Sequence, residues 1–186
     1  SVVMQDTTLK GLIISGSSKF PNFLMNLQKI IIRLSVIFFG KYATNPLMQY
    51  LTDYTWNKKF KPNRTRFDWL SRDEDQVDAY VADPMCGFDV SLSCWRDTTE
   101  AVFYASRNLN KIPQNLPIFL LGGSKDACTN DGSDMVKLHE RLIALGHERV
   151  KCKILADTRH ESLNELNREQ TSQLFLNWIN ECVQVD

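Results

Sequence analysis

The sequence predicts an α/β fold, a parallel sheet with helices on both faces and an inserted helical lid. Short, nearly continuous apolar runs bounded by glycine, serine or charged residues stand at 9–16 and 117–122, and a third strand-like run lies at 151–156. Runs of that length suit strands in a covered sheet. The order strand, helical insert, strand, helix, strand, helix implies right-handed crossovers between parallel neighbours. A chain of 186 residues with 43% apolar content is long enough to bury one sizeable core.

The first strand is Leu9-Lys10-Gly11-Leu12-Ile13-Ile14-Ser15-Gly16. A doubly wound sheet that starts so near residue 1 exposes an apolar edge, so further sequence is expected upstream. Residues 1–17 read as a core strand and the start of the lid connection, 18–88 as a helical lid, and 89–186 as the C-terminal half of the core. Over about 21–42, apolar residues at 23, 27, 30, 34 and 37, with a second row at 24, 31 and 38, repeat at helical spacing, with Lys29 and Arg33 on the other side. Asn26, Gln28, Lys29 and Arg33 interrupt this stretch as a membrane span, so it reads as amphipathic. It fits a lid helix lining an acyl pocket or touching lipid, and equally a helix packed on the core.

Residues 46–85 are rich in aromatic and charged residues, with short helical patterns such as 73–81. Trp56, Phe60, Phe67 and Trp69 suit a pocket wall, but aromatic clusters more often fill interiors, so they are not counted as site residues. Residues 91–108 read as a helix, and Ile112-Pro113-Gln114-Asn115 as the loop into the second strand. Ser133 or Asp134 caps the next helix, with Leu138, Leu142 and Leu145 on its buried side and Gly146 as its stop. Lys151-Cys152-Lys153-Ile154-Leu155-Ala156 alternates like a strand with one wetter face. The last helix covers about 164–182, with Leu166, Leu174, Phe175, Trp178 and Ile179 on its buried side.

Lys plus Arg and Asp plus Glu both number 22, which leaves no net field to attract nucleic acid, and none is expected as a partner. Five cysteines, Cys86, Cys94, Cys128, Cys152 and Cys182, are odd in number and lack a C-x-x-C pair. They read as the reduced thiols of a cytoplasmic protein, with peripheral placement at the inner membrane surface through the lid as an extension. No export signal is visible.

Asp126 and His160 each follow a predicted strand on the same sheet edge, where working residues of such folds gather. Taken singly, a loop histidine and an aspartate after a strand are more often capping or surface groups. Together, in that order, they suit an orienting carboxylate and a general base of nucleophilic ester hydrolysis. Asp131 and Asp134 are competing acids, weaker because they lie farther along the loop or at a helix cap. His139, His147 and His160 each precede a glutamate, but no H-E-x-x-H exists and the cysteines are not spaced as ligands, so no metal is expected. Cys128 reads as packing.

Gly123-Ser124-Lys125-Asp126 followed by Gly132, and Arg159-His160-Glu161-Ser162-Leu163-Asn164-Glu165, resemble the acid and histidine motifs of monoacylglycerol-lipase-like and bacterial lysophospholipase-like α/β hydrolases, of the serine aminopeptidase S33 type. Leu70-Ser71-Arg72-Asp73 through Val77, Tyr80, Asp83-Pro84 and Cys86-Gly87-Phe88 is similar to the segment with which those proteins leave their lid. The resemblance covers about 9–178. It implies the C-terminal portion of an α/β-hydrolase fold, with Asp126 and His160 as acid and base of a Ser-His-Asp triad. The family's nucleophile sits on a G-x-S-x-G elbow before the strand that here is 12–15, and this sequence has none. Gly16-Ser17-Ser18 lacks the second glycine, and Gly123-Ser124 runs into Lys125. A missing N-terminal segment is therefore expected to carry the serine and the oxyanion hole. The implied function is hydrolysis of a lipid-like carboxylic ester, lysophospholipid or monoacylglycerol, without a cofactor and without activity in this chain alone. A peptidase or small-ester esterase of the same fold, and a non-catalytic binding module, are the alternatives.

Overall fold

A computed structural model of the protein describes residues 8–18 and 22–183. Three parallel strands, β1 (Leu12–Ser15), β2 (Ile118–Gly123) and β3 (Val150–Leu155), form one sheet in the order β1-β2-β3. Ile118 pairs with Leu12 on one side and Val150 on the other. The helices are α1 (Asn22–Phe39), α2 (Pro46–Asn57), α3 (Glu74–Ala82), α4 (Leu92–Arg107), α5 (Ser133–Ala144) and α6 (Arg168–Val183).

Strand β2 is buried along its whole length, and its alternating side chains feed two separate clusters. Ile118 and Leu120 pack with Met135 and Leu142 of α5, whereas Phe119 and Leu121 pack with Leu155 and Trp178. Period-two alternation thus places α5 on one face and α6 on the other. Each fully buried β2 side chain contributes about 2 kcal/mol by area, so β2 is the axis of the fold. β3 alternates as its sequence suggests, with Lys151 and Lys153 exposed.

Helix ends follow ordinary capping chemistry. Ser91 Oγ accepts from Cys94 N at α4, and Asp73 accepts from Gln76 N at α3. Helix α5 starts after Gly132 at φ 79°, with Ser133 as its first residue rather than its cap, and the chain turns out of it at Gly146, φ 89°.

Three expectations need correcting. β1 covers only 12–15 and is half-buried, because its outer edge has no neighbouring strand among the described residues. Helix α1 buries Met25, Ile32 and Ser35 against the body, while Phe23, Leu27, Ile30, Leu34, Ile37 and Phe38 stay exposed. Its sequence is apolar around most of its circumference, so periodicity alone could not choose the stripe that meets α4; the expected start at Pro21 lies outside the described residues. Helix α6 begins at Arg168, since the chain first turns around the buried Glu165, and Leu166 and Ile179 are exposed whereas Trp178 is buried.

Candidate active site

The acid loop leaves β2 and the histidine loop leaves β3, so the ladder between these strands fixes both starting points. Backbone bonds carry the pairing past the strands: Ser124 N donates to Leu155 O and Lys125 N to Thr158 O, both at 2.9 Å. Ser124 Oγ accepts from Asp157 N, which gives this hydroxyl a loop-tying role. Gly123 permits the approach. A Cβ built there falls 2.1 Å from Thr158 O and 2.5 Å from Arg159 O.

Asp126 is fully buried, and its carboxylate accepts from Cys128 N at 2.9 Å and from Thr129 Oγ1 at 2.8 Å. His160 Nδ1 lies 3.2 and 3.1 Å from the two carboxylate oxygens. A carboxylate only accepts, so Nδ1 carries the proton, and in the neutral tautomer this leaves the Nε2 lone pair free. The imidazole is a quarter exposed, and it lies against the Trp69 ring with 5.0 Å between centroids and 43° between the planes. Gly16, at φ 64°, backs the ring: a Cβ there falls 2.9 Å from His160 Cε1. The two residues singled out by sequence are therefore brought together, whereas Asp131 pairs with Lys59 and Asp134 with Lys137.

A second buried carboxylate holds the histidine loop. Glu165 accepts from Arg72 N, Arg72 Nε, Arg159 N and Leu166 N. Arg159 reaches back to donate to Asp68 O and Ser71 O, and its guanidinium covers Phe60. Glu161 N donates to Leu70 O and Ser71 Oγ to Asn164 O. Residues 68–72 and 159–165 thus form one hydrogen-bonded block beside the imidazole. Glu165 stands in the most distinctive run of the sequence, but only the fold reveals it as an internal anchor.

Beside this block lies a cavity of about 480 Å³, lined mainly by apolar groups including Leu24, Ile31, Met48, Trp56, Trp69 and Trp95. Trp69 is both its wall and the neighbour of His160, so one indole ring separates the cavity from the imidazole. Trp56 and Trp69 line this cavity and also pack with Phe67, Leu70 and Val77 in the interior of the insert. Asp53 is the carboxylate in the cavity lining, paired with Arg66 at 2.9 Å. Burial pushes the Cys128 thiol up to about 12, and the neighbouring Asp126 carboxylate adds to the rise. Protonated at neutral pH, it is a poor nucleophile.

Residues 2–167 match the sequence family described as "Serine aminopeptidase, S33" (Hydrolase_4). No curated protein matches the chain. Among solved structures, the fold is similar to a thermostable carboxyl esterase from Bacillus coagulans in complex with glycerol, with TM-score 0.84 and 23% identity over 95% of this chain and 58% of that one. A lipase in its open form gives TM-score 0.80 at 20% identity over 97% and 60%. Paleococcus ferrophilus monoacylglycerol lipase gives 0.63 at 19% over 97% and 62%. The chain spans about three-fifths of the length of these proteins.

Proposed function

The chain belongs to the serine aminopeptidase S33 family of hydrolases, and on that premise we propose that it is the C-terminal part of a carboxylic-ester hydrolase with Asp126 and His160 as the acid and base of a Ser-His-Asp triad. The buried carboxylate on His160 Nδ1 is the observation that carries this reading. It orients the ring, leaves Nε2 basic, and stabilises the imidazolium that forms when Nε2 takes a serine proton. That proton passes to the departing alcohol, and water then releases the acyl group by the reverse sequence. None of these steps needs a cofactor.

The serine and the oxyanion-hole donors come from sequence upstream of Ser1, since residues 1–186 contain no G-x-S-x-G. Residues 18–88 serve as the lid and 89–186, with the strand of 1–17, as core. The apolar cavity beside His160 suits one acyl chain, so a lysophospholipid or monoacylglycerol is the substrate. The protein works in the cytoplasm, and the exposed row of Phe23, Leu27, Ile30, Leu34, Ile37 and Phe38 lets α1 lie on the inner membrane surface. No helix among the described residues is long and apolar enough to cross a membrane.

The test is a chain-length series of p-nitrophenyl esters and monoacylglycerols, applied to residues 1–186 alone and to the chain extended upstream. The isolated chain should be silent, and the extended one should prefer long acyl groups. Turnover by residues 1–186 contradicts the supplied serine. An extended protein that prefers short esters or peptides, or has Gly or Ala at the elbow, contradicts the lipid-ester reading.

A further inference from the structure

We propose that Asp126, Cys128 and His160 form a site for a borderline-soft divalent cation, with Zn²⁺ as its first candidate, that seizes the imidazole by Nδ1 and so disables the general base. Cation binding stands on geometry alone, whereas the inhibitory consequence rests on the hydrolase reading above.

One ligand atom from each of the three residues lies within 4.8 Å of the other two. Two of them are already spaced for a common metal. His160 Nδ1 and Asp126 Oδ2 are 3.1 Å apart, against about 3.3 Å for a nitrogen and an oxygen on one tetrahedral zinc. The sulfur has to close to about 3.6 Å from its fellow ligands, a movement of roughly 1 Å that a thiol rotation can supply. The backbone N–H of Cys128 and the Thr129 hydroxyl keep the carboxylate in place when the imidazole proton leaves it, in the manner of outer-shell partners. Three protein ligands leave the fourth tetrahedral position to solvent.

The exchange balances in protons and charge. Zinc adds two positive charges, the thiol proton goes to solvent, and the Nδ1 proton moves to Nε2. The two positive charges of the metal then face the Asp126 carboxylate and the Cys128 thiolate. With Nδ1 on the metal and a proton on Nε2, the ring cannot accept a proton from a serine. Asp126 and Cys128 lie on one loop and His160 on another, so no spacing rule reveals the set.

Cobalt reports on the site. Residues 1–186 titrated with Co²⁺ should develop a thiolate-to-cobalt charge-transfer band in the near ultraviolet and intense visible bands of tetrahedral cobalt, and Zn²⁺ should bleach both. Cys128→Ser should abolish the charge-transfer band, and His160→Ala should weaken zinc binding at least about a hundredfold. Cys94→Ser, at an exposed cysteine, should change neither. A wild-type chain without the band, a band undiminished in Cys128→Ser, or full zinc affinity in His160→Ala overturns the site. His160→Ala removes a part-exposed loop side chain, so it stays informative even if Cys128→Ser does not fold. In the extended, metal-free protein, absent turnover contradicts the hydrolase reading instead. Zinc that binds with the band yet leaves turnover unchanged overturns the switch.

Discussion

Replacing Gly123 by alanine probes how tightly the acid and histidine loops are pressed together. The new Cβ falls 2.1 Å from Thr158 O and 2.5 Å from Arg159 O, and both obstacles are backbone atoms. Relief requires the histidine loop to retreat by about 1 Å, because side-chain rotation cannot move a carbonyl. That retreat breaks the 2.9 Å bond from Lys125 N to Thr158 O. Overpacking costs about 1–3 kcal/mol and the lost hydrogen bond about 1 kcal/mol, so Gly123→Ala should be destabilised by about 2–4 kcal/mol. Thermal unfolding should fall by about 2–4 °C per kcal/mol in a domain of this size. The same retreat carries His160 Nδ1, now 3.1 Å from Asp126 Oδ2, out of hydrogen-bond range. Urea denaturation of residues 1–186 measures the first effect. A Gly123→Ala protein within about 0.5 kcal/mol of wild type refutes the contact argument.

Glu165→Gln replaces a buried acceptor of four donors by a half-donating amide, and should cost about 2–3 kcal/mol in the same urea assay; a change below about 0.5 kcal/mol contradicts its anchoring role. His147 is buried with no hydrogen-bond partner on either ring nitrogen among the described residues, so His147→Leu should leave stability unchanged or raise it by about 1 kcal/mol. A clear loss would show that the ring is satisfied. The Cys128 thiol is raised in the fold from 9.0 to about 12. Its stabilising effect is therefore whole below pH 9 and is lost as pH climbs toward 12, because the unfolded chain ionises first. Cys128→Ser should flatten that alkaline decline, and an unchanged pH profile contradicts the burial argument.

Much of this arrangement is legible without coordinates, for reasons that are local. Apolar runs at 117–122 and 151–156 mark the two strands, and a loop residue just beyond each strand end must emerge on one edge, so Asp126 and His160 meet. What escapes is whatever depends on the other side of a contact. Gly123 looks like any strand-end glycine until Thr158 O is seen against it. Helix α1 is apolar around most of its circumference, and α4 decides which stripe is buried. Trp69 is one aromatic among many until its ring is found against His160. Glu165 reads as one more charged residue of a polar loop, because its partners at 72 and 159 come from two different segments.

The central claim is that Asp126 and His160 act as one proton-handling unit, and kinetics of the upstream-extended protein test it most directly. His160→Ala and Asp126→Asn should each lower kcat for a long-chain ester by about 10⁴-fold or more, and the double variant should fall little further, as residues acting together do. A His160→Ala enzyme that retains turnover within tenfold of wild type, or losses that multiply in the double variant, contradicts it.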